Sequence, residues 1–245
     1  MIHVIVSGAL GRMGSITVEK INQAEDMTLA AAVDVFSKGG EVLSSLNQFE
    51  GKADLIIDFS HHTGTPALLQ WAVEHNTPVI MCTTGHDEGE KAAIYEAGKR
   101  IPVFYSANMS LGVALLAELA KKTAAAFPDA DIEIVETHHN RKVDAPSGTA
   151  LLLGNAIKTV RDDAVFNMGR SGMAKRTPEE IGFHAIRRGN IPGIHEVIVS
   201  TDNQCITLKH EVYDRALFAD GALSAARFLA GKAPGMYEMA DIIKE

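Results

Sequence analysis

The residues best suited to chemistry lie between positions 136 and 150. This stretch reads Glu-Thr-His-His-Asn-Arg-Lys-Val-Asp-Ala-Pro-Ser-Gly-Thr-Ala, and it brings together His138, His139, Arg141 and Lys142. Imidazoles titrate near neutral pH and can donate protons, while the two other cations attract anions. The segment is therefore a candidate site for a small substrate that carries several negative charges.

The segments on either side of this cationic loop are expected to position it. Residues 130–135 alternate polar and apolar side chains, which predicts a strand with one buried face. Ser147 precedes an apolar run with helical spacing, so its hydroxyl is expected to cap a helix. Backbone N–H groups and the helix dipole at such an end form an anion site. The order strand, cationic loop and helix N-terminus therefore predicts a binding site for an anionic ligand.

Two other interpretations of this loop stay open. A short basic loop can be an ordinary solvated surface. A metal site is the second alternative, but adjacent histidines on an extended backbone point to opposite faces and chelate poorly. No cysteine and no HExxH motif lies nearby, so we expect no metal. A catalytic role gains weight only if an independent feature of the chain requires a cofactor.

The N-terminus has the pattern of a dinucleotide-binding turn. A β-branched run at residues 2–6 is followed by Gly8, Gly11 and Gly14, and then by a segment with helical spacing. Glycines at such a junction permit a tight turn, close approach of a pyrophosphate and close packing of the helix on the strand. The spacing is G-x-x-G-x-x-G rather than G-x-G-x-x-G, so a purely structural glycine turn is the alternative.

An acidic residue lies where a dinucleotide fold needs one. The second predicted strand, residues 27–33, ends at Asp34, and an acid about 20 residues after the last glycine binds ribose hydroxyls in such folds. Val35 follows, where an arginine would help to bind a 2′-phosphate. The pattern favours NADH, or use of both NADH and NADPH, although Arg12 or Lys38 could serve a phosphate.

Predicted strands and helices alternate through about residue 110, which indicates a parallel sheet with helices on both faces. Ligands of such sheets bind beyond the carboxyl ends of the strands. These ends carry the expected cofactor contacts: Gly8, Ala9, Leu10, Gly11, Arg12, Met13, Gly14, Asp34, Cys82, Thr83, Thr84, Ser106, Ala107, Asn108 and Met109.

The second half of the chain has a different pattern. Three β-rich segments joined by short turns, at 181–186, 196–201 and 205–213, predict antiparallel pairing. The polar segment 163–180 is expected to be a flexible loop that could close over a ligand, and an ordinary surface loop is the alternative. The predicted fold class is therefore α/β: a Rossmann-type parallel sheet with helices on both faces, and an α+β domain with a mostly antiparallel open sheet. Few helices are available to cover this second sheet, so another subunit is expected on one of its faces.

The predicted domains are a dinucleotide-binding domain, residues 1–109 plus 217–245, and a substrate-binding and oligomerisation domain, residues 110–216. The net charge of −8 argues against non-specific binding of nucleic acid, which needs a basic face. No apolar run approaches the roughly 20 residues of a membrane helix. The two cysteines fit a reducing compartment, and the chain shows no signal-peptide pattern, so a cytoplasmic protein is expected.

The stretch 136–150 follows the pattern E-x-H-H-x-x-K-x-D-x-P-S-G-T-A, which resembles the signature of the 4-hydroxy-tetrahydrodipicolinate reductase (dihydrodipicolinate reductase) family of lysine and diaminopimelate synthesis. The turn G-A-x-G-R-M-G at 8–14, the T-T-G at 83–85, the A-N at 107–108 and the F-A-x-G-A at 218–222 resemble the same family in the same order. The resemblance covers essentially the whole chain.

This resemblance implies NAD(P)H-dependent reduction of a cyclic dicarboxylate by a homotetramer that assembles through the second domain. It implies that His138 donates a proton and that Lys142 is a second acid. It also implies a site for the substrate carboxylates made of His139, Lys142, Ser147, Gly148 and Thr149. Two positions depart from the family pattern, since Cys82 replaces the usual glycine of G-T-T-G and His62 stands where proline is common.

Two alternatives to this function stay open. The first is another NAD(P)-dependent dehydrogenase that acts on an amino-acid-derived acid. The second is a non-catalytic protein that senses NAD(H). Turnover with a different acid would select the first, and binding without turnover would select the second.

Overall fold

A computed structural model describes residues 1–106 and 108–244 of the chain. The chain folds into two compact units. The first comprises Met1–Ser110 together with the chain from Ala216 onward, and the second comprises Leu111–Arg215. The dinucleotide-binding role of the first unit and the substrate-binding role of the second stay predictions at this point.

The N-terminal part of the first unit alternates strands and helices: β1 (Ile2–Ser7), α1 (Arg12–Gln23), β2 (Met27–Val33), β3 (Val42–Leu43), β4 (Leu55–Asp58), α2 (Thr65–Glu74), β5 (Val79–Met81), α3 (Glu88–Gly98) and β6 (Pro102–Tyr105). The second unit contains α4 (Leu111–Ala126), β7 (Asp131–His138), α5 (Gly148–Lys158), β8 (Val165–Asn167), β9 (Glu180–Arg187), β10 (Gly193–Thr201) and β11 (Gln204–Val212). The chain then returns to the first unit with α6 (Ala216–Leu229), β12 (Gly235–Tyr237) and α7 (Met239–Lys244).

The first unit is built on a sheet of seven strands in the order β12-β6-β5-β4-β1-β2-β3, and all its pairings are parallel. Strands β1 and β4 are rich in branched aliphatic residues and are largely buried, as expected for strands covered on both faces. The strand order reverses between β1 and β4, which is where such sheets bind ligands. The predicted Rossmann-type fold is therefore confirmed, and β3 and β12 are edge strands that the pattern did not predict.

The second unit contains a mixed sheet of five strands in the order β11-β10-β7-β9-β8. Strand β10 pairs antiparallel with β11 and β7, as the short turns predict for β10 and β11. The expectation that β9 pairs antiparallel with β10 is wrong, because β7 lies between them and pairs parallel with β9. Strand β7 enters the sheet from the preceding helix, and its central place is set by long-range pairing that a local turn does not reveal.

The expectation of a flexible loop over 163–180 is also wrong for part of that segment. It contains β8 and the first residue of β9. The guanidinium of Arg176 donates from Nε to Asp131 Oδ1 at 2.7 Å and also pairs with Glu133, while Arg170 pairs with Glu180. These contacts hold the segment against strands β7 and β9 of the sheet.

Helices α4 and α5 cover one face of this second sheet. They pack on the inward side chains of β7 and β10, among them Ile132, Ile134, Val197 and Val199. The inward face of β7 thus carries an apolar core along most of its length. Within residues 1–106 and 108–244, no helix combines the length and the apolar composition that crossing a membrane requires.

Candidate active site

The inward face of β7 ends in two polar side chains, Glu136 and His138. Alternate residues of a strand point to the same side, so both continue the face that carries Ile132 and Ile134. Glu136 is 1% exposed and His138 is 8% exposed, which means that both need hydrogen-bond partners within the protein. They satisfy each other, since His138 Nδ1 lies 2.5 Å from Glu136 Oε2. An ionised carboxylate can only accept, so Nδ1 carries the proton in this contact.

Arg187 completes the surroundings of the Glu136 carboxylate. The sheet register pairs Arg187 of β9 with His138. Its two terminal nitrogens donate to Glu136 Oε2 and Oε1 at 2.8 and 2.7 Å, and the Ser147 N–H donates to Oε1 at 3.0 Å. Burial would raise the pKa of Glu136, but the hydrogen bonds from His138 and Arg187 outweigh it and lower this pKa to about 2. The carboxylate is therefore charged at any working pH.

His195 lies on β10, which flanks β7 on the side away from β9, and the register pairs it with Glu136. Its ring meets the His138 ring at a centroid distance of 5.1 Å, and its Nε2 lies 3.1 Å from Ser147 Oγ. Burial, together with the nearby charge of His138, lowers the pKa of His195 to about 3, so this imidazole is neutral. Its Nδ1 is buried without a partner among the described residues.

Ser147 begins helix α5, as its sequence context predicts. Its Oγ accepts a hydrogen bond from the Ala150 N–H at 3.2 Å, which confirms the predicted N-cap. Gly148 follows and is exposed, and a Cβ built there meets no heavy atom within 4 Å. Thr149 is half-buried. The first turn of α5 therefore starts beside the Glu136–His138 pair and has open space at its second residue.

The cations of the loop surround His139. The ammonium of Lys142 lies 2.8 Å from Asp144 Oδ1, and the Lys142 side chain is half-buried. Arg215 Nη2 lies 3.4 Å from His139 Nε2. Burial, followed by the charges of Arg141 and Arg215, lowers the pKa of His139. Such a concentration of positive charge favours an anionic ligand.

The first unit has its own candidate site at the turn after β1. Gly8 has a φ of +77°, and a Cβ there would lie 2.6 Å from the Phe59 carbonyl oxygen. A Cβ on Gly14 would lie 2.0 Å from the Gly8 carbonyl oxygen. Gly11 is the N-cap of α1 and forms no side-chain cap. The turn is thus packed so closely that only glycine fits at Gly8 and Gly14, as the dinucleotide fingerprint requires.

Asp34 is fixed at the same turn by two backbone donors. Its Oδ2 accepts from the Leu10 N–H at 3.0 Å, and its Oδ1 accepts from the Phe36 N–H at 2.9 Å. Both the turn and Asp34 border a cavity of about 540 Å³, a size typical of ligand sites. The cavity is lined by Ser7, Gly8, Leu10, Gly11, Val33, Asp34, Val35, Phe36, Ser44, Ser45, Leu46, Asn47, Phe59, Ser60, His61, Gly64, Ala67, Leu68 and Trp71. This lining fits part of a dinucleotide.

Of the expected cofactor contacts, Gly8, Leu10, Gly11 and Asp34 line this cavity. Thr83 donates to the buried carboxylate of Asp58 at 2.6 Å, and Ser106 Oγ donates to the Asn108 carbonyl at 2.9 Å. Ala107 lies outside the described residues. The other expected contacts that the structure describes lie away from the cavity lining: Ala9, Arg12, Met13, Gly14, Cys82, Thr83, Thr84, Ser106, Asn108 and Met109.

Comparison with known proteins assigns both halves of the chain. The family model described as "Dihydrodipicolinate reductase, N-terminus" matches residues 2–109, and that described as "Dihydrodipicolinate reductase, C-terminus" matches residues 112–243. The chain belongs to the dihydrodipicolinate reductase family.

Relatives and solved structures agree with this family. A 4-hydroxy-tetrahydrodipicolinate reductase of Clostridium novyi is 44% identical over 100% of this chain and 99% of its own. One of Caldanaerobacter subterraneus is 42% identical over the same shares of both chains. The structure of a dipicolinate-bound dihydrodipicolinate reductase from Paenisporosarcina sp. TG-14 matches with a TM-score of 0.81, at 22% identity over 97% of each chain. The last match shows the fold shared with that reductase.

The two departures from the dihydrodipicolinate reductase pattern are accommodated locally. Cys82 is a free, buried thiol, and burial with the nearby charge of Asp58 raises its pKa well above the usual range. It therefore packs as a small apolar side chain. His62 Nδ1 lies 2.9 Å from the carboxylate of Glu90. This contact joins the turn after β4 to helix α3.

Sequence reasoning missed several residues of this reductase's candidate site. Glu136 stands two residues before His138, and the period of a strand would have placed both on one face. Arg187 and His195 have no local signal, because they reach His138 only through the pairing of β7 with β9 and β10. The lining residues Phe36, Ser44–Asn47 and Trp71 likewise have no motif of their own.

Proposed function

We propose that this protein reduces 4-hydroxy-tetrahydrodipicolinate to tetrahydrodipicolinate with a nicotinamide cofactor, in the synthesis of diaminopimelate and lysine. The observation that carries the proposal is the buried Glu136–His138 pair beside the N-terminus of α5, which puts a proton donor next to an anion site. The names of the relatives that match the whole chain support the substrate. The dipicolinate in the matching solved structure is a cyclic dicarboxylate and supports it further.

The substrate carboxylates would bind the cationic loop and the first turn of α5. His139, Lys142, Ser147, Gly148 and Thr149 are the proposed contacts. Burial is the largest cause of the lowered pKa of His139, and the charges of Arg141 and Arg215 lower it further. A bound carboxylate would relieve this repulsion between positive charges. The open space at Gly148 would leave the backbone of the helix end accessible.

His138 would supply the proton that completes the reduction, with Lys142 as a second acid. Loss of water from the substrate leaves a conjugated C=C–C=N ring, and a bound nicotinamide cofactor would supply the hydride for its reduction. The electron pair then moves toward the ring nitrogen, and one proton must be added. An imidazole is suited to this step near neutral pH. His138 would afterwards regain its proton from solvent.

The first unit would bind the cofactor at the glycine turn and the cavity beside it. The proposed contacts are Gly8–Gly14, Asp34, Cys82–Thr84 and Ser106–Met109. We favour NADH over NADPH, because the cavity lining holds the Asp34 carboxylate and, within the described residues, neither a lysine nor an arginine. An anionic carboxylate at the ribose repels a 2′-phosphate and accepts hydrogen bonds from free hydroxyls.

We further propose that the protein is a cytoplasmic homotetramer. Helices α4 and α5 cover one face of the second sheet, and the other face, with Ile198 and Lys209, would contact partner subunits. The free thiols of Cys82 and Cys205 fit a reducing compartment. Sedimentation of the purified protein would measure the assembly, and a monomer at micromolar concentration would contradict it.

Oxidation of NADH, followed with and without the dipicolinate precursor, tests the function. We expect oxidation only when the precursor is present, and a lower KM for NADH than for NADPH. Turnover only with another amino-acid-derived acid would show that the protein is a different NAD(P)-dependent dehydrogenase. NADH binding without any turnover would select a sensing protein. A lower KM for NADPH would contradict the assignment of the cofactor.

A further inference from the structure

The Glu136–His138 contact fixes which nitrogen of the imidazole is available. Because Nδ1 donates to the carboxylate at 2.5 Å, Nε2 is the nitrogen that can exchange a proton with a ligand. The carboxylate cannot turn away, since Arg187 holds both its oxygens and the Ser147 N–H holds one of them. The ring orientation is thus set by groups from β7, β9 and the start of α5.

The space at Nε2 depends on a glycine. Gly193 begins β10, and a Cβ built there would lie 3.1 Å from His138 Nε2. Any other residue would crowd this nitrogen. The arrangement therefore restrains Nδ1 tightly and keeps a side chain away from Nε2.

We propose that Glu136 is a positioning residue for proton transfer: it holds His138 with the proton on Nδ1 and presents Nε2 to the substrate, while Arg187 keeps the carboxylate in place. The proposal rests on the proposed function for the role of His138. Proton transfer runs from Nε2–H of the imidazolium to the substrate, which leaves a neutral imidazole that still carries its Nδ1 proton.

Several charged and titratable groups lie around His138. The titratable and charged groups that face the ring or its partners come from several elements: Glu136 on β7, Arg187 on β9, His195 on β10, His210 on β11, and His139 and Lys142 in the loop. Of these groups, the Glu136 carboxylate is the only one in direct contact with Nδ1 among the described residues.

The decisive variant is Glu136→Gln, which keeps the shape of the side chain and removes its charge. We expect kcat to fall about 10²–10³-fold, since the orientation of the general acid is impaired. The KM for the precursor and the Kd of NADH should change less than about threefold.

Nitrogen NMR of ¹⁵N-histidine-labelled protein without ligands gives a readout that does not depend on turnover. In the unmodified protein, the neutral His138 ring should carry its proton on Nδ1, and in Glu136→Gln it should populate both tautomers. If the unmodified protein does not turn over the precursor, the proposed function fails, yet these spectra still decide whether Glu136 fixes the ring. An unchanged tautomer and an unchanged kcat in folded Glu136→Gln would overturn the proposal.

The same strand offers a matched control. Glu133 also accepts from a histidine, since His184 Nε2 lies 2.8 Å from its Oε2, and it also pairs with an arginine, Arg176. Glu133→Gln should therefore leave kcat and the His138 spectrum unchanged. If Glu136→Gln does not fold, Glu136→Asp takes its place, because it keeps the charge and draws the carboxylate back by one methylene. Wild-type kcat and an Nδ1–H tautomer in Glu136→Asp would equally overturn the proposal.

Discussion

Ser147 Oγ lies 3.1 Å from His195 Nε2, and this contact joins the N-cap of α5 to strand β10 of the second sheet. The hydroxyl accepts the Ala150 N–H and can give its own proton to the imidazole. That arrangement needs a neutral His195, which is the form that burial enforces by lowering its pKa to about 3. The helix end beside His138 is therefore held by a histidine that must stay uncharged.

This relationship predicts a loss of stability in mild acid. An unfolded histidine binds its proton near pH 6.5, whereas folded His195 does so only near pH 3, so the unfolded state binds the extra proton between these values. The free energy of unfolding should fall as the pH is lowered through this window, by up to about 1.4 kcal/mol per pH unit from this group. Glu136, whose pKa is lowered to about 2, adds to the fall only below about pH 4.5.

Urea unfolding at pH 7, 6 and 5 measures this slope, and His195→Gln isolates the contribution of one group. His86, His139 and His210 also have lowered pKa values and contribute in both proteins. The free energy of unfolding of the variant should therefore still depend on pH, but less steeply than that of the unmodified protein. Equal slopes in the two proteins would mean that His195 is not the neutral buried group described here.

Removal of either proposed acid should reduce turnover without weakening cofactor binding. His138→Ala or Lys142→Ala should lower kcat about 10²–10⁴-fold, the usual contribution of a positioned general acid. NADH affinity should stay nearly unchanged, because the cavity beside the glycine turn belongs to the first unit. Steady-state kinetics and NADH fluorescence titration give the two quantities.

A suitable control for these variants is His184→Gln. It replaces a half-exposed histidine of the second unit that pairs with Glu133. It should turn over at nearly the normal rate. Near-normal turnover in His138→Ala or Lys142→Ala would remove that residue from the acid role.

The three glycines of the first turn should respond in a graded way to alanine. In Gly14→Ala the new Cβ would lie 2.0 Å from the Gly8 carbonyl oxygen, so the first unit should be destabilised by 3 kcal/mol or more, beyond the ~1–3 kcal/mol typical of overpacking. Gly8→Ala should also be costly, because its φ is +77°. In Gly11→Ala the Cβ would lie 3.1 Å from Gly8 O, which requires only a small shift.

Gly11→Ala therefore separates folding from binding. Its free energy of unfolding should stay within about 1 kcal/mol of the original, while its Kd for NADH should rise about tenfold, since Gly11 lines the cavity. Chemical denaturation and NADH titration test both statements. A Gly14→Ala protein as stable as the unmodified chain would contradict the close packing of the turn.

The buried carboxylate of Asp58 should depend on the hydroxyl of Thr83. Thr83 Oγ1 donates to Asp58 Oδ2 at 2.6 Å, and the Asp58 side chain is fully buried. Thr83→Val keeps the shape and removes this donor, which should lower the free energy of unfolding by about 1–3 kcal/mol. Thr83→Ser keeps the hydroxyl and is the matched control. If the serine variant is the less stable of the two, packing of the methyl group matters more than the hydrogen bond.

The strand order of the second sheet could be predicted only in part from local sequence patterns. The short turns correctly indicate β10 and β11 as a hairpin, because a two-residue turn brings its flanking strands together. The expected pairing of β9 with β10 is wrong, because their connection is longer, residues 188–192, and β7 lies between the two strands. Arg170 and Arg176, predicted in a flexible loop, pair with acids on β7 and β9 that only the sheet brings within reach.

The sequence by itself determined what depends on neighbours along the chain: the glycine turn, Asp34 at the end of β2, the Ser147 cap and the cationic loop that contains His138 and Lys142. Backbone conformation, strand period and helix capping are set over a few residues, so they can be recognised in the sequence alone. Only the tertiary structure decided that Arg187 and His195 flank Glu136 and His138. Their meeting depends on which strands lie beside β7 and in which register, and those are properties of the whole sheet.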